Sequence, residues 1–186
     1  MTGINLAKSN LSFFEKYKDI KKCIFISYKR ENRAEALNIG EYIMENNIDI
    51  YLDVFDDKLQ VAANDDNHEL ITSCLEKGLS KSTHLLSIIS EKTRDSWWVP
   101  YEIGYSKCKK SKTNVATILL KDFNDQDIPS YLRVARIIYG KYDFHRYLQE
   151  VLSDYPELYN KYSSHTQENE MYSDEKNLLG NILKEK

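Results

Sequence analysis

Five short, largely aliphatic runs constrain this chain more than any other feature. They are KKCIFISY, IDIYLDV, THLLSIIS, NVATILLK and VARIIYG, in that order. KKCIFISY is apolar on both faces of an extended strand, the pattern of a strand inside a parallel sheet. The stretches between the runs carry helical spacing. Ala36, Leu37, Gly40, Ile43 and Met44 fall on one face before an Asn46-Asn47 stop, and Leu70, Ile71, Cys74, Leu75, Gly78 and Leu79 fall on another. VPYEIGYSKCKKSK and YDFHRYLQEVL complete the helical set. Strands alternating with helices through short connections require right-handed crossovers, hence an α/β domain with a central parallel sheet and helices on both faces.

At 186 residues, the chain has room for one such domain with extensions. Residues 1–21 carry Leu6, Leu11, Phe14, Tyr17 and Ile20 and read as an appended amphipathic helix. Residues 22–153 form the domain, and the polar stretch 154–186 reads as a helical or partly disordered extension. Between Val54 and Asp65 no periodicity stands out, so this stretch reads as a long loop beyond the second strand. Ligands of such sheets collect at that carboxyl edge.

Composition excludes several classes. With 41% hydrophobic and 30% charged residues and a net charge of -3, the chain is globular, and its cations are scattered among acids. It lacks the clustered basic footprint of a nucleic-acid binder. No apolar run is long enough for a membrane span, and the N-terminus has no signal-peptide core, so a cytoplasmic location is expected. Cys23, Cys74 and Cys108 are far apart with no CxxC, and read as reduced core thiols. Neither GxGxxG nor GxxxxGK[ST] occurs, so the usual dinucleotide and triphosphate cradles are missing, and there is no HExxH. The histidines read as a packed strand residue (His84), a surface or helix-packing residue (His145) and a loop-side residue open to ligand contact (His68).

Two regions carry a chemical signal. In FISYKREN, a buried strand delivers Ser27, Tyr28, Lys29 and Arg30 to the sheet edge. Ser27 is either a turn serine or a hydroxyl facing a phosphate. The two cations either form a solvated turn with Glu31 or pair with a pyrophosphate, with Tyr28 stacking on a ring. In DSWWVPYE, Pro100 fits the start of a helix and places Glu102 in its first turn. Glu102 is either a helix-start acid or an ionised carboxylate, held so by the helix dipole, that stabilises a cationic transition state.

Taken together, IFISYKRENRAEALNIGEYIMENNIDIYLDV, LEKGLSKSTHLLSIISEKTRDSWWVPYEIGYS and NVATILLKDFNDQDIPSYLRVARIIYGKYDFHRYLQEVL resemble the Toll/interleukin-1 receptor (TIR) domain over about residues 22–153. The resemblance implies a flavodoxin-like, five-stranded parallel sheet. Some TIR domains are scaffolds; others cleave the nicotinamide–ribose bond of NAD+ with a glutamate spaced W-x-x-x-E, here Trp98 to Glu102. It implies Glu102 as the catalytic acid, on the ribose hydroxyls of an oxocarbenium-like state. It also implies Ser27, Tyr28, Lys29, Arg30 and Asp53 beside the nucleotide, Trp98 as an aromatic wall with Trp97 as the packing residue, and Val54–Asp65 as the gating BB loop. NAD+ would be substrate, with no cofactor and no metal. Partners would be copies of the chain and a separate effector that senses the product, without nucleic acid or membrane. The chain also resembles bacterial antiphage proteins of the Thoeris type. Two further readings are a TIR scaffold without turnover and a deoxyribosyltransferase-like enzyme acting on nucleosides.

Overall fold

The computed structural model describes residues 2–8, 22–108, 114–153 and 178–186. Its strands are β1 (Cys23–Ser27), β2 (Asp49–Tyr51), β3 (His84–Ile89), β4 (Asn114–Leu119) and β5 (Arg136–Ile138). Its helices are α1 (Arg33–Glu45), α2 (Asp57–Asn64), α3 (His68–Lys81), α4 (Trp98–Cys108), α5 (Gly140–Ser153) and α6 (Leu178–Ile182). The strands form one five-stranded sheet in the order β2-β1-β3-β4-β5, parallel at every pairing. All five apolar runs are therefore strands, and the doubly wound α/β expectation holds. The strand order turns between β1 and β3, which opens a crevice at their carboxyl ends.

The two-residue repeat of each strand splits the core into two layers. Ile24 and Ile26 join Ile50, Leu86, Ile88 and Ile118 beneath α1 and α5. Cys23 and Phe25 join Tyr51, Leu85, Ile89, Val115 and Leu119 beneath α3 and α4. Ser27 follows Cys23 and Phe25 in this alternation and so belongs to the face covered by α4. Gly78 lets α3 approach closely: a Cβ there would stand 2.6 Å from the Tyr51 ring, which stacks on Phe25 at a centroid distance of 5.3 Å. At the end of α1, Asn47 adopts φ 61°, the left-handed stop that the Asn46-Asn47 pair foretold.

Three expectations change. The stretch from Val54 to Asp65 is not a plain loop. Asp53–Phe55 makes a 3-10 turn and Asp57–Asn64 makes α2. The carboxylate of Asp56 caps α2 by accepting from the backbone N–H of Lys58 and Leu59 at 3.1 and 3.2 Å. Only Leu59 and Ala62 of α2 are buried, too few to show a helical period. The predicted N-terminal helix lies largely outside the described residues, and the described part, 2–8, is not α-helical. It runs beside β2: Asn5 bridges Ile50 in parallel, Ile50 N–H donates to Ile4 O at 3.0 Å, and Asp49 Oδ1 accepts from Ile4 N–H at 3.0 Å. Of the polar C-terminal stretch, 154–177 lies outside the described residues, while 178–186 packs into the core. Leu179 and Leu183 are buried, Leu183 bridges Leu120 antiparallel, and Lys184 N–H donates to Leu119 O at 2.9 Å. Gly140, at φ 65°, donates its N–H to Lys184 O at 2.8 Å.

Candidate active site

Glu102 and Ser27, separated by 75 positions in sequence, meet in the crevice between β1 and β3. Strand alternation aims the Ser27 hydroxyl at α4, and Glu102 is in the first turns of that helix. The hydroxyl donates to the Glu102 carboxyl group, and both residues are buried. The inner face of α4 is a double row. Val99 and Ile103 supply the apolar row, and Glu102 and Ser106, one turn apart, supply the polar one. Beneath it the sheet presents hydroxyls in register. Ser27 pairs with Ser87 and Ser87 with Thr117 across β1, β3 and β4, and the Ser87 and Thr117 hydroxyls are 2.8 Å apart. A buried acid is tolerable here because small polar side chains face it.

Asp53 follows β2 at the same sheet edge and is half-buried, with one buried carboxylate oxygen lacking a hydrogen-bond partner among the described residues. Burial pushes its carboxyl from 3.8 up to about 6, against the opposing pull of Tyr28, the Val54 N–H and the Arg33 guanidinium. Burial likewise pushes Glu102 from 4.5 up to about 8; the Ser27 hydrogen bond opposes this and the charge of Asp53 adds to it. The expectation that the helix dipole keeps Glu102 ionised therefore fails. Desolvation of a fully buried carboxyl outweighs a helix terminus, and at neutral pH Glu102 holds its proton.

Ser27, Tyr28, Asp53 and Glu102 are thus brought together. Tyr28 is half-buried against Asp53, and its phenol is raised by burial and the neighbouring acids. The two cations read from the sequence are farther out. Lys29 pairs with Glu31 at 3.6 Å, as the solvated-turn reading had it, and Arg30 is exposed at the start of a 3-10 turn. The cation that acts on Asp53 and Tyr28 is Arg33, the first residue of α1. Sequence reading missed it, although its place at a helix start beyond β1 was visible. Asn32 was missed as well. It is buried, and its side-chain oxygen accepts from Ser90 Oγ at 2.7 Å, tying the segment after β1 to the segment after β3.

The tryptophans part ways, though not as expected. Trp97 is 90% exposed, contrary to the packing role expected of it. Trp98 is partly exposed and sits one turn before Glu102, with its ring edge-on to Tyr101 at 5.8 Å. Tyr101 stacks on Tyr105 and donates to Glu76 of α3 at 2.6 Å, so the aromatic row runs along the outside of α4.

Elsewhere, Cys23 and Cys74 are buried but Cys108 is exposed, contrary to a core role for all three. His84 is buried in β3 as expected, His145 contacts Tyr42 OH through Nδ1 at 3.1 Å, and His68 is exposed at the start of α3. Among the described residues no cluster of His, Cys, Asp or Glu is arranged to hold a metal ion, and no helix is long and apolar enough to cross a membrane.

The sequence profile of the family described as TIR domain matches residues 24–152, a span that holds all five strands but for Cys23, the first residue of β1, and every residue of the Ser27–Asp53–Glu102 cluster. A search of curated proteins finds no match.

Proposed function

The chain belongs to the TIR domain family, and from that premise we propose that it is an NAD+ glycohydrolase or cyclase with Glu102 as the catalytic residue. The observation that carries this reading is the buried Glu102 carboxyl at the strand-order turn, hydrogen-bonded to Ser27 and next to Asp53. Glu102 in its ionised form accepts hydrogen bonds from the ribose hydroxyls and stabilises the positive charge that grows on the ribose as the nicotinamide bond lengthens. Nicotinamide is already cationic in the substrate, so it leaves neutral without a general acid. Burial raises the proton affinity of the carboxyl, and a more basic carboxylate is a stronger acceptor at the moment charge develops. Ser27 positions that carboxylate. Tyr28, Lys29 and Arg30 border the nucleotide, Asp53 closes the β2 side, and Trp98 forms a wall. The segment from Asp53 through α2 gates entry. The acceptor that completes the reaction is water, an oxygen or nitrogen of the same nucleotide, or a second small molecule. We favour an ADP-ribose-derived signal sensed by a separate effector, as in antiphage defence, with assembly of several copies promoting turnover.

A second reading, a TIR scaffold that binds other TIR domains without turnover, draws support from the closure of the site: Glu102 is only 4% exposed. One experiment decides between the two. Incubation of the concentrated full chain with NAD+ should release nicotinamide, and Glu102→Gln should reduce that release by roughly 100- to 1,000-fold while circular dichroism stays unchanged. Absence of release from the wild-type chain at any concentration leaves the scaffold. Mass spectrometry of the second product identifies the acceptor.

A further inference from the structure

The opposite edge of the sheet holds a second set of convergent polar groups. His84, Asn114 and Arg136 open β3, β4 and β5, and with Lys107 at the end of α4 and Tyr147 and Glu150 of α5 they line a cavity of about 410 Å³. That volume suits a small metabolite.

Tyr147 is 5% exposed, and its hydroxyl is buried with no hydrogen-bond partner among the described residues. Leaving a buried hydroxyl unpaired costs about 1–3 kcal/mol, which an incoming acceptor would offset. Burial raises this phenol above the ordinary tyrosine range, so it stays a donor. Its ring is fixed on both sides: the Arg136 guanidinium lies over it at 5.6 Å and the His84 ring meets it edge-on at 6.4 Å. Stacking on a flat ligand is thereby disfavoured, and the hydroxyl is what Tyr147 has to offer.

His84 acts as a brace. Thr83 Oγ1 donates to Cys23 O at 3.1 Å, so it accepts from His84 Nδ1–H at 2.9 Å, and Nε2 then accepts from the Asn114 amide at 3.3 Å. Glu150, the acid of the wall, is engaged by Arg136, which also bonds Asp143 at 3.0 Å. Arg136 retains further N–H groups, and Lys107 supplies a second cation. The wall thus has donors in excess, with Lys107 the cation set beside the Arg136–Glu150–Asp143 group.

We propose that this cavity is a binding site for a small oxyanion-bearing metabolite, a phosphate or a carboxylate, held by the Tyr147 hydroxyl, the Lys107 ammonium and the Arg136 guanidinium. It is independent of the role given to Glu102, although α4 carries Glu102 in its first turns and Lys107 in its last.

The test is titration of the full chain with inorganic phosphate and, separately, succinate. Ionic strength is held with chloride, and the His84 imidazole signals are followed by NMR. One of the two probes should shift those signals saturably and chloride should not; the responding probe identifies the oxyanion. Tyr147→Phe keeps the ring, so its unliganded stability should match or exceed that of wild type, while its apparent Kd should rise about 10-fold, the loss of one buried hydrogen bond. Lys107→Gln should weaken binding in the same direction. Two results overturn the proposal: no saturable response to either probe up to about 50 mM, a range that covers weak fragment binding, or equal affinity in wild type and Tyr147→Phe.

Discussion

Glu102 and Ser27 show how far a single residue can be read before its neighbours are known. The W-x-x-x-E spacing picked out Glu102, and its place at the end of the first strand picked out Ser27, but neither revealed that the two would meet across 75 positions and leave water behind. That burial reverses the ionisation expected from the helix start. It also sets the pH behaviour. Both carboxyls sit above their unfolded values, Glu102 at about 8 against 4.5 and Asp53 at about 6 against 3.8. Between those limits the folded chain holds protons that the unfolded chain has released, so their contribution to stability is full below about pH 4 and is lost as pH rises towards 8. Glu102→Gln removes the larger share of this loss. It should be more stable than wild type at pH 8.5, by on the order of 4 kcal/mol, and closely similar at pH 5, measured by urea unfolding at both pH values. If turnover needs the ionised acid, kcat/KM for NAD+ should climb through the Glu102 pKa. Ser27→Ala removes a bond that lowers that pKa, so the rising limb should move to higher pH, with a lower rate at pH 7. An unshifted limb would take Ser27 out of the positioning role.

Among elements, those with a long buried stripe were legible and those with a short one were not. α1 and α3 each bury four inward positions at helical spacing. α2 has two, so its cue lay in the cap: an acid at Asp56 followed by Leu59 three residues on. A helix was among the readings of 154–186, but the core contact of α6 was hidden by composition. It follows a long polar stretch, and its partners in the sheet are more than 50 positions away, so nothing local marked Leu179 and Leu183 as core residues. Their burial makes a stability claim. Leu183→Ala should cost about 2–4 kcal/mol and lower Tm by roughly 6–12 °C. An unchanged Tm would mean that this segment is not held in the core.

At the scale of the molecule, the parallel sheet and its layers followed from the order of apolar runs, because right-handed crossovers leave few alternatives. The two ends of the sheet then divide the chemistry. Acids gather at the carboxyl edge around Glu102 and Asp53, and donors gather at the amino edge around Tyr147 and Arg136. This division between the two ends was not visible in the sequence, where cations and acids are interspersed throughout. The segment beside β2 has a consequence for how copies can join. The outward N–H groups of Ile50 and Leu52 are already taken, by Ile4 O at 3.0 Å and by Asn5 Oδ1 at 3.3 Å. An outer strand with its amides spent offers no template for another chain to zip onto. A second copy brought to β2 would find these two amides already bonded, so contacts made there would have to run through side chains, which single surface substitutions can remove.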